Sequence, residues 1–190
     1  MLFRSNNTDR KLDLETCFLS WKPPSKNWVK INVDGSRHPS LGLIAGGGVI
    51  EDHKKNWLGG FALNKGIGSV IEAEFWGILE GLRFAWRTGY KKIVLESDSH
   101  DAVTLLKSNP PLNHPLLSLI EECRILIDKD WNCSVQHAYR ECNRVADALA
   151  GLGHSLEIGT TFFEEPPPQV AGLLEDDSEE SSFIRTFPSF

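Results

Sequence analysis

Four acidic residues, Asp34, Glu74, Asp98 and Asp147, lie far apart in the 190-residue chain, yet each stands where a strand end or a helix start is expected. Hydrolysis of a phosphodiester with two Mg²⁺ ions needs such a distribution. Three or four carboxylates must converge from separate elements, because Mg²⁺ is hard, octahedral and keeps waters for the reaction. Taken singly, the acids have plainer readings. Asp34 before Gly35 could begin a turn. Glu74, with Glu72 as a rival two residues earlier, could be a solvated acid favoured by the positive end of its helix. Asp98, between Ser97 and Ser99, could cap the helix that follows. Asp147 sits within Ala146-Asp147-Ala148-Leu149-Ala150, a small and apolar helical stretch where a surface acid is less easily assumed. The case for chemistry rests on the four together.

The elements that would position them follow from hydrophobic period. Val29, Ile31 and Val33 alternate with polar neighbours, predicting a half-buried strand that ends at Asp34-Gly35-Ser36. Strands over 44–50 and 57–63, joined by a polar turn at 51–56, read as an antiparallel pair. Over 71–86 the residues Phe75, Ile78, Leu79, Leu82 and Ala85/Trp86 recur at three- and four-residue steps before Gly89, which predicts an amphipathic helix. Ile93-Val94-Leu95 is a short buried strand delivering Asp98 at its end. Helices over 99–107 and 115–129, a strand over 133–139 and a helix over 143–152 complete the order β-β-β-α-β-α-α-β-α, an α/β mixture.

With 41% apolar and 24% charged residues, the chain has material for one well-buried core. No run approaches the roughly 18 consecutive apolar residues of a membrane span. The N-terminus MLFRSNNTDRKLD lacks the apolar core of a secretory signal, so an intracellular protein of cytoplasm or nucleus is expected, without membrane contact. Cys17, Cys123, Cys133 and Cys142 form no Cys-x-x-Cys pair and read as reduced, mostly buried thiols. The net charge of −6 is unevenly spread: residues 157–190 hold eight acids and one Arg, a net of −7, and residues 28–156 a net of −1. The folded part is therefore near neutral, without a basic stripe, and phosphate binding would need metal to carry much of the charge. EPPP at 165–168 and EDDSEE at 175–180 predict a disordered, acidic, proline-containing tail over 157–190, so that deleting 165–190 would leave fold and cleavage intact. Trp21-Lys22-Pro23-Pro24 predicts an extended, poorly ordered lead-in over 1–27 and a domain over 28–156.

Trp28-Val-Lys-Ile-Asn-Val-Asp34-Gly-Ser36, Ala73-Glu74-Phe-Trp-Gly-Ile-Leu-Glu-Gly-Leu82, Glu96-Ser97-Asp98-Ser99 and Arg140-Glu-Cys-Asn143-Arg-Val-Ala-Asp147-Ala-Leu-Ala150 resemble, in order and spacing, the motifs of the type 1 ribonuclease H family. The resemblance is strongest to its plant reverse-transcriptase-like branch, extends to Trp-x-Pro-Pro before Trp28 and to Gly46-Gly47-Gly48-Val49, and covers about 28–156. It implies a ribonuclease H-like three-layer α/β fold: a five-stranded mixed sheet, its first three strands antiparallel, flanked by helices. It also implies metal-binding, catalytic carboxylates at Asp34, Glu74, Asp98 and Asp147, holding Mg²⁺ or Mn²⁺ as two ions. The implied reaction is in-line attack of activated water on phosphorus with departure of the 3′ oxygen. The implied partner is an RNA·DNA hybrid, cleaved internally in its RNA strand by a monomeric protein. Recognition would rest on 2′-hydroxyls in the shallow minor groove, and Ser36 is a candidate for that contact, beside its reading as an ordinary turn serine.

The chain departs from the family in places. Studied members use a histidine near the last acid; His137 lies ten residues before Asp147, but its alternation with Cys133 and Val135 reads as a strand residue. Arg140, nearer the expected loop, could hold phosphate bidentately as a substrate-binding residue, or pair with Glu141 or Asp147. A basic helical protrusion grips the duplex in many relatives, whereas residues 107–122 here, KSNPPLNHPLLSLIEE, contain one Lys and two Glu. Trp57, Phe75, Trp76 and Trp86 read as core, and Gly46 to Gly48 do not open a helix as a phosphate loop would. Two other functions stay open: a non-catalytic nucleic-acid-binding module of the same fold, and another metal-dependent nuclease such as an exonuclease. Against the first, carboxylates clustered without metal repel one another.

Overall fold

β2 (Val29–Arg37), in which apolar Val29, Ile31 and Val33 alternate with polar residues, pairs antiparallel with β3 (Leu43–Glu51), a strand buried along almost its whole length, and β4 (Trp57–Ile67) is antiparallel to β3. The computed structural model describes residues 14–19, 21–178 and 183–188. Beyond the meander come α1 (Val70–Arg87), β5 (Lys92–Ser97), α2 (His100–Lys107), α3 (Leu117–Ile127), β6 (Asn132–His137), a 3₁₀ turn at Arg140–Cys142 and α4 (Arg144–Gly153). Then follow β7 (Gly159–Phe163) and α5 (Pro168–Ser178); β1 (Leu14–Leu19) and β8 (Phe183–Pro188) pair antiparallel in a two-stranded sheet of their own. The main sheet runs β6-β5-β2-β3-β4-β7, with β2/β5 and β5/β6 parallel.

Successive strand residues serve opposite faces. Ile31, Val33, Ile50, Phe61 and Leu63 pack with Phe75, Ile78, Leu79 and Leu82 of α1 and with Ile120 of α3, whereas Val49 packs on the other face with Val145 and Leu149 of α4. The expected three layers result. The glycine run is explained by close approach of both helices: a Cβ at Gly47 would lie 2.3 Å from the Ala150 nitrogen, and one at Gly46 would lie 3.3 Å from Gly77 Cα. Phe75 is fully buried, while Trp57, Trp76 and Trp86 are half-buried. Cys123 and Cys133 are free thiols whose pKa burial pushes up to about 12, and Cys142 is half-buried; the Cys17 side chain lies outside the described residues.

Three boundaries differ from expectation. β2 does not stop at Asp34: Gly35, Ser36 and Arg37 continue the ladder opposite Gly46, Ala45 and Ile44. The sheet has six strands, because β7 pairs with β4 from Gly60↔Phe163 to Asn64↔Gly159. The folded part also starts before Trp28, since Trp21 is 7% exposed and donates from Nε1 to Asn32 Oδ1 at 2.9 Å. Residues 1–13 and 20 of the expected lead-in, and 179–182 and 189–190 of the expected tail, lie outside the described residues.

Residues 159–178 add substance to the domain despite their proline and acid content. Val170 of α5 is fully buried against Val49, Val145 and Leu149. Arg144 Nη2 meets Asp176 Oδ2 at 3.0 Å, an exposed pair that adds little. Deleting 165–190 therefore uncovers the α4 side of the core, contrary to the reading of that segment as dispensable. Val170→Ala alone should cost about 2 kcal/mol, lowering the melting temperature by about 4–8 °C. An unchanged calorimetric transition would place Val170 outside the core. Among the described residues no helix is long and apolar enough to cross a membrane.

Candidate functional site

The parallel pairing of β2 and β5 ends at Val33↔Ser97, and the next residue of each strand is an acid, Asp34 and Asp98. Carboxyl ends of neighbouring parallel strands open a crevice in which side chains meet. The third acid arrives from α1, which lies directly on β2 because two glycines allow it. A Cβ at Gly35 would stand 2.2 Å from the Glu74 nitrogen, and one at Gly77 would stand 2.6 Å from the Asp34 carbonyl oxygen. The Gly35 N–H donates to Glu74 Oε2 at 3.1 Å, turning that carboxylate toward Asp34. Carboxylate oxygens of Asp34, Glu74 and Asp98 all lie within 4.8 Å of one another.

Neighbouring residues take over the structural jobs that three of these acids could have had. Asp34 lies within a strand, opposite Gly47, and begins no turn. α2 is capped by Ser99, whose side chain accepts from the Ala102 N–H at 3.3 Å, so Asp98 is not its cap. Glu72 forms a capping box with Ser69 at the start of α1, leaving Glu74 on the buried face. A polar chain supports Asp98 from behind. Asn143, 1% exposed, donates from Nδ2 to the Val33 carbonyl at 2.9 Å and lies 3.5 Å from Asp98 Oδ1. Its own Oδ1 accepts from Asn32 Nδ2 at 3.2 Å, and Asn32 is held in turn by Trp21. Sequence reasoning missed Asn143 and Asn32. The available signal was a polar Asn32 between the core residues Ile31 and Val33.

Asp147 takes a different place. It is half-exposed on α4, outside the tight triple, and Arg140 Nη2 pairs with its Oδ1 at 3.3 Å. Of the two pairings considered for Arg140, the one with Asp147 is present; the guanidinium, 77% exposed, keeps reach into the cleft. That cleft, about 310 Å³, is lined by Asp34, Ser36, Glu74, Asp98, Arg140 and Asp147. It is large enough for a phosphate group together with several waters at roughly 30 Å³ each. Ser36 stands on its wall, within β2 and not in a turn. His137 ends β6 as an exposed strand residue, its Nε2 3.1 Å from the Asp98 carbonyl oxygen.

Burial, and then the neighbouring Glu74, Asp98 and Asp147, carry Asp34 from its ordinary 3.8 up to about 9. Burial and Asp98 carry Glu74 from 4.5 up to about 8, against the opposing pull of the Gly35 N–H and of Arg140. Such carboxyls lack enough positive charge around them. An all-oxygen, hard donor set of this spacing fits a divalent ion such as Mg²⁺ or Mn²⁺.

Residues 32–153 match the family model described as reverse transcriptase-like. An Arabidopsis thaliana protein named “Putative ribonuclease H protein” is 40% identical over 160 residues, 84% of this chain and 26% of that one. The chain thus spans about a quarter of the length of this curated relative. Among solved structures, RNase H1 from the halophilic archaeon Halobacterium salinarum is 25% identical with a TM-score of 0.63, over 67% of this chain and 98% of that chain. LC11-RNase H1, isolated from compost and solved in complex with RNA/DNA hybrid, is 22% identical with a TM-score of 0.59, over 65% of this chain and 94% of that chain.

Proposed function

The chain belongs to the reverse transcriptase-like family of the ribonuclease H fold, and from that membership we propose that it is a metal-dependent endonuclease hydrolysing the RNA strand of RNA·DNA hybrids. The observation that carries the reading is the convergence of Asp34, Glu74 and Asp98 within 4.8 Å in an open cleft. Asp34, Glu74 and Asp98, with Asp147 across the cleft, would hold two divalent ions. Those ions supply, when bound, an activated water and charge neutralisation at the phosphate.

The remaining steps belong to the protein. The Gly35 N–H and Asn143 hold Glu74 and Asp98 in place before substrate arrives, so little reorganisation is needed on binding. Arg140, at the mouth, exchanges its exposed partner Asp147 for a phosphate oxygen of the scissile strand at small cost. Ser36, on the β2 wall, faces the sugar edge and offers a hydroxyl to the 2′ position that tells RNA from DNA. With no basic protrusion on 107–122, the protein neutralises few phosphates, so affinity for the duplex is expected to be weak and to fall only shallowly with salt.

The test is incubation of the purified chain with end-labelled RNA·DNA hybrid, RNA duplex and DNA duplex, each with Mg²⁺, Mn²⁺ or chelator. Internal cuts in the RNA strand of the hybrid alone, abolished by chelator, are expected, and they should persist on a circular or end-blocked hybrid. Release of nucleotides only from free ends would point to an exonuclease. Binding without cleavage under every metal would make the chain a non-catalytic module.

A further inference from the structure

α4 does more than deliver Asp147. The helix presses so closely on the sheet that a Cβ at Gly153, its last residue, would lie 2.3 Å from the Leu63 carbonyl oxygen and 3.0 Å from Ala45 Cβ. Ala45 is the cross-strand partner of Ser36. The residue after Gly153, His154, is thereby set over Ser36, and its Nε2 lies 3.0 Å from Ser36 Oγ. The His154 backbone N–H already closes the helix end on the Gly151 and Leu152 carbonyls, so capping makes no use of the imidazole.

The protonation pattern of the ring follows from its other nitrogen. His154 Nδ1 is buried and is the buried side-chain atom without a partner among the described residues. An orphaned buried N–H is rarer than an under-used acceptor, so the proton belongs on Nε2 and the bare lone pair on Nδ1. Burial, with His38 in edge contact at 6.0 Å between ring centroids, also lowers the tendency of the ring to take a second proton. In that tautomer Nε2–H donates and Ser36 Oγ accepts. A hydroxyl with one lone pair so engaged still has its own hydrogen to give, and Ser36 lines the cleft beside Asp34 and Glu74.

We propose that His154 is a positioning residue that fixes the Ser36 hydroxyl as a hydrogen-bond donor to a ribose 2′ oxygen of the strand in the cleft. The inference rests on the hybrid-binding function proposed above and assigns part of its RNA discrimination to a residue outside the carboxylate cluster. His154 touches no reacting atom. Its loss should therefore weaken recognition of hybrid and leave the bond-breaking step nearly alone.

The test compares wild type with His154→Phe, His154→Gln, Ser36→Ala and the Ser36→Ala/His154→Phe double variant. Binding is measured by fluorescence anisotropy to an RNA·DNA hybrid and to a DNA duplex of the same sequence, with Ca²⁺ in place of Mg²⁺, and KM and kcat are measured with Mg²⁺. His154→Phe should lose about fivefold in hybrid affinity, the scale of one neutral hydrogen bond, and raise KM similarly with kcat close to wild type. Affinity for the DNA duplex should not move. His154→Gln, whose amide can donate from the same place, should restore most of the hybrid affinity, and the double variant should be no weaker than Ser36→Ala. Equal weakening toward both duplexes would mean that Ser36 meets phosphate, and overturns the assignment. So would full additivity of the two substitutions, or unchanged hybrid affinity in a His154→Phe protein of normal melting temperature. A wild type that binds neither duplex overturns the proposed function itself, and this inference with it.

Discussion

Asp98→Asn should leave the fold standing and lower hybrid cleavage by about a thousandfold or more, the scale of removing one preorganised charged group from a transition-state site. The substitution keeps shape and one oxygen, while removing a formal charge from a triple whose oxygens lie within 4.8 Å of one another. It does not remove a helix cap, because Ser99 holds that place on α2. It also relieves repulsion on Asp34 and Glu74, in both of which the Asp98 charge raises the proton affinity. In chelator the variant should therefore melt at or above the wild-type temperature, and added Mg²⁺ or Mn²⁺ should stabilise it less than wild type. Cleavage and melting are measured on the same preparation. Cleavage at the wild-type rate would remove Asp98 from the catalytic set, and a lower melting temperature in chelator would mean that Asp98 stabilises the fold rather than straining it.

Much of this arrangement is legible in the sequence because period and spacing report local geometry. The three- and four-residue recurrence from Phe75 to Leu82 marks the buried face of α1, and Val29, Ile31 and Val33 mark β2 by alternation. Asp34 is misread as a strand end for a physical reason: Gly35-Ser36 is turn chemistry, yet Gly35 is there to admit the backbone of Glu74 within 2.2 Å of where its Cβ would be. Composition likewise misleads over 157–178. Prolines and acids dominate the average, while Val170 and the edge strand β7 carry the packing. Asn143 acts through Asn32, Val33 and Asp98, and His154 through Ser36 118 residues away, so no local pattern marks either of them. The exposure of Asp147 is likewise set by tertiary packing, because α4 turns Leu149 and Ala150 onto Gly47 of β3 and leaves Asp147 outside that contact.

The metal-free protein should lose stability as pH rises from about 5 to about 8, the opposite of the usual behaviour of paired carboxylates. Asp34 holds its proton up to about 9 when folded against 3.8 in ordinary surroundings, and Glu74 up to about 8 against 4.5. Between those limits the folded state binds more protons than the unfolded chain, and the slope of unfolding free energy with pH is proportional to unfolded minus folded protons bound. The slope is negative, at most about 1.4 kcal/mol per pH unit for each proton, and structural relaxation will reduce it. His154, whose pKa burial lowers, acts in the opposite direction near its ordinary 6.5, but it is one half-exposed group against two buried ones. In chelator the melting temperature is expected to fall by about 5 °C or more between pH 5.5 and pH 8. Divalent metal displaces those protons and supplies the missing charge, so its stabilising effect should be larger at pH 8 than at pH 5.5. Asp34→Asn removes the largest contributor and should flatten the profile in chelator. A melting temperature in chelator that is level or rises over this interval would mean that Asp34 and Glu74 ionise in the folded protein as ordinary carboxylates do, and that the charge balancing them comes from the protein instead of from metal.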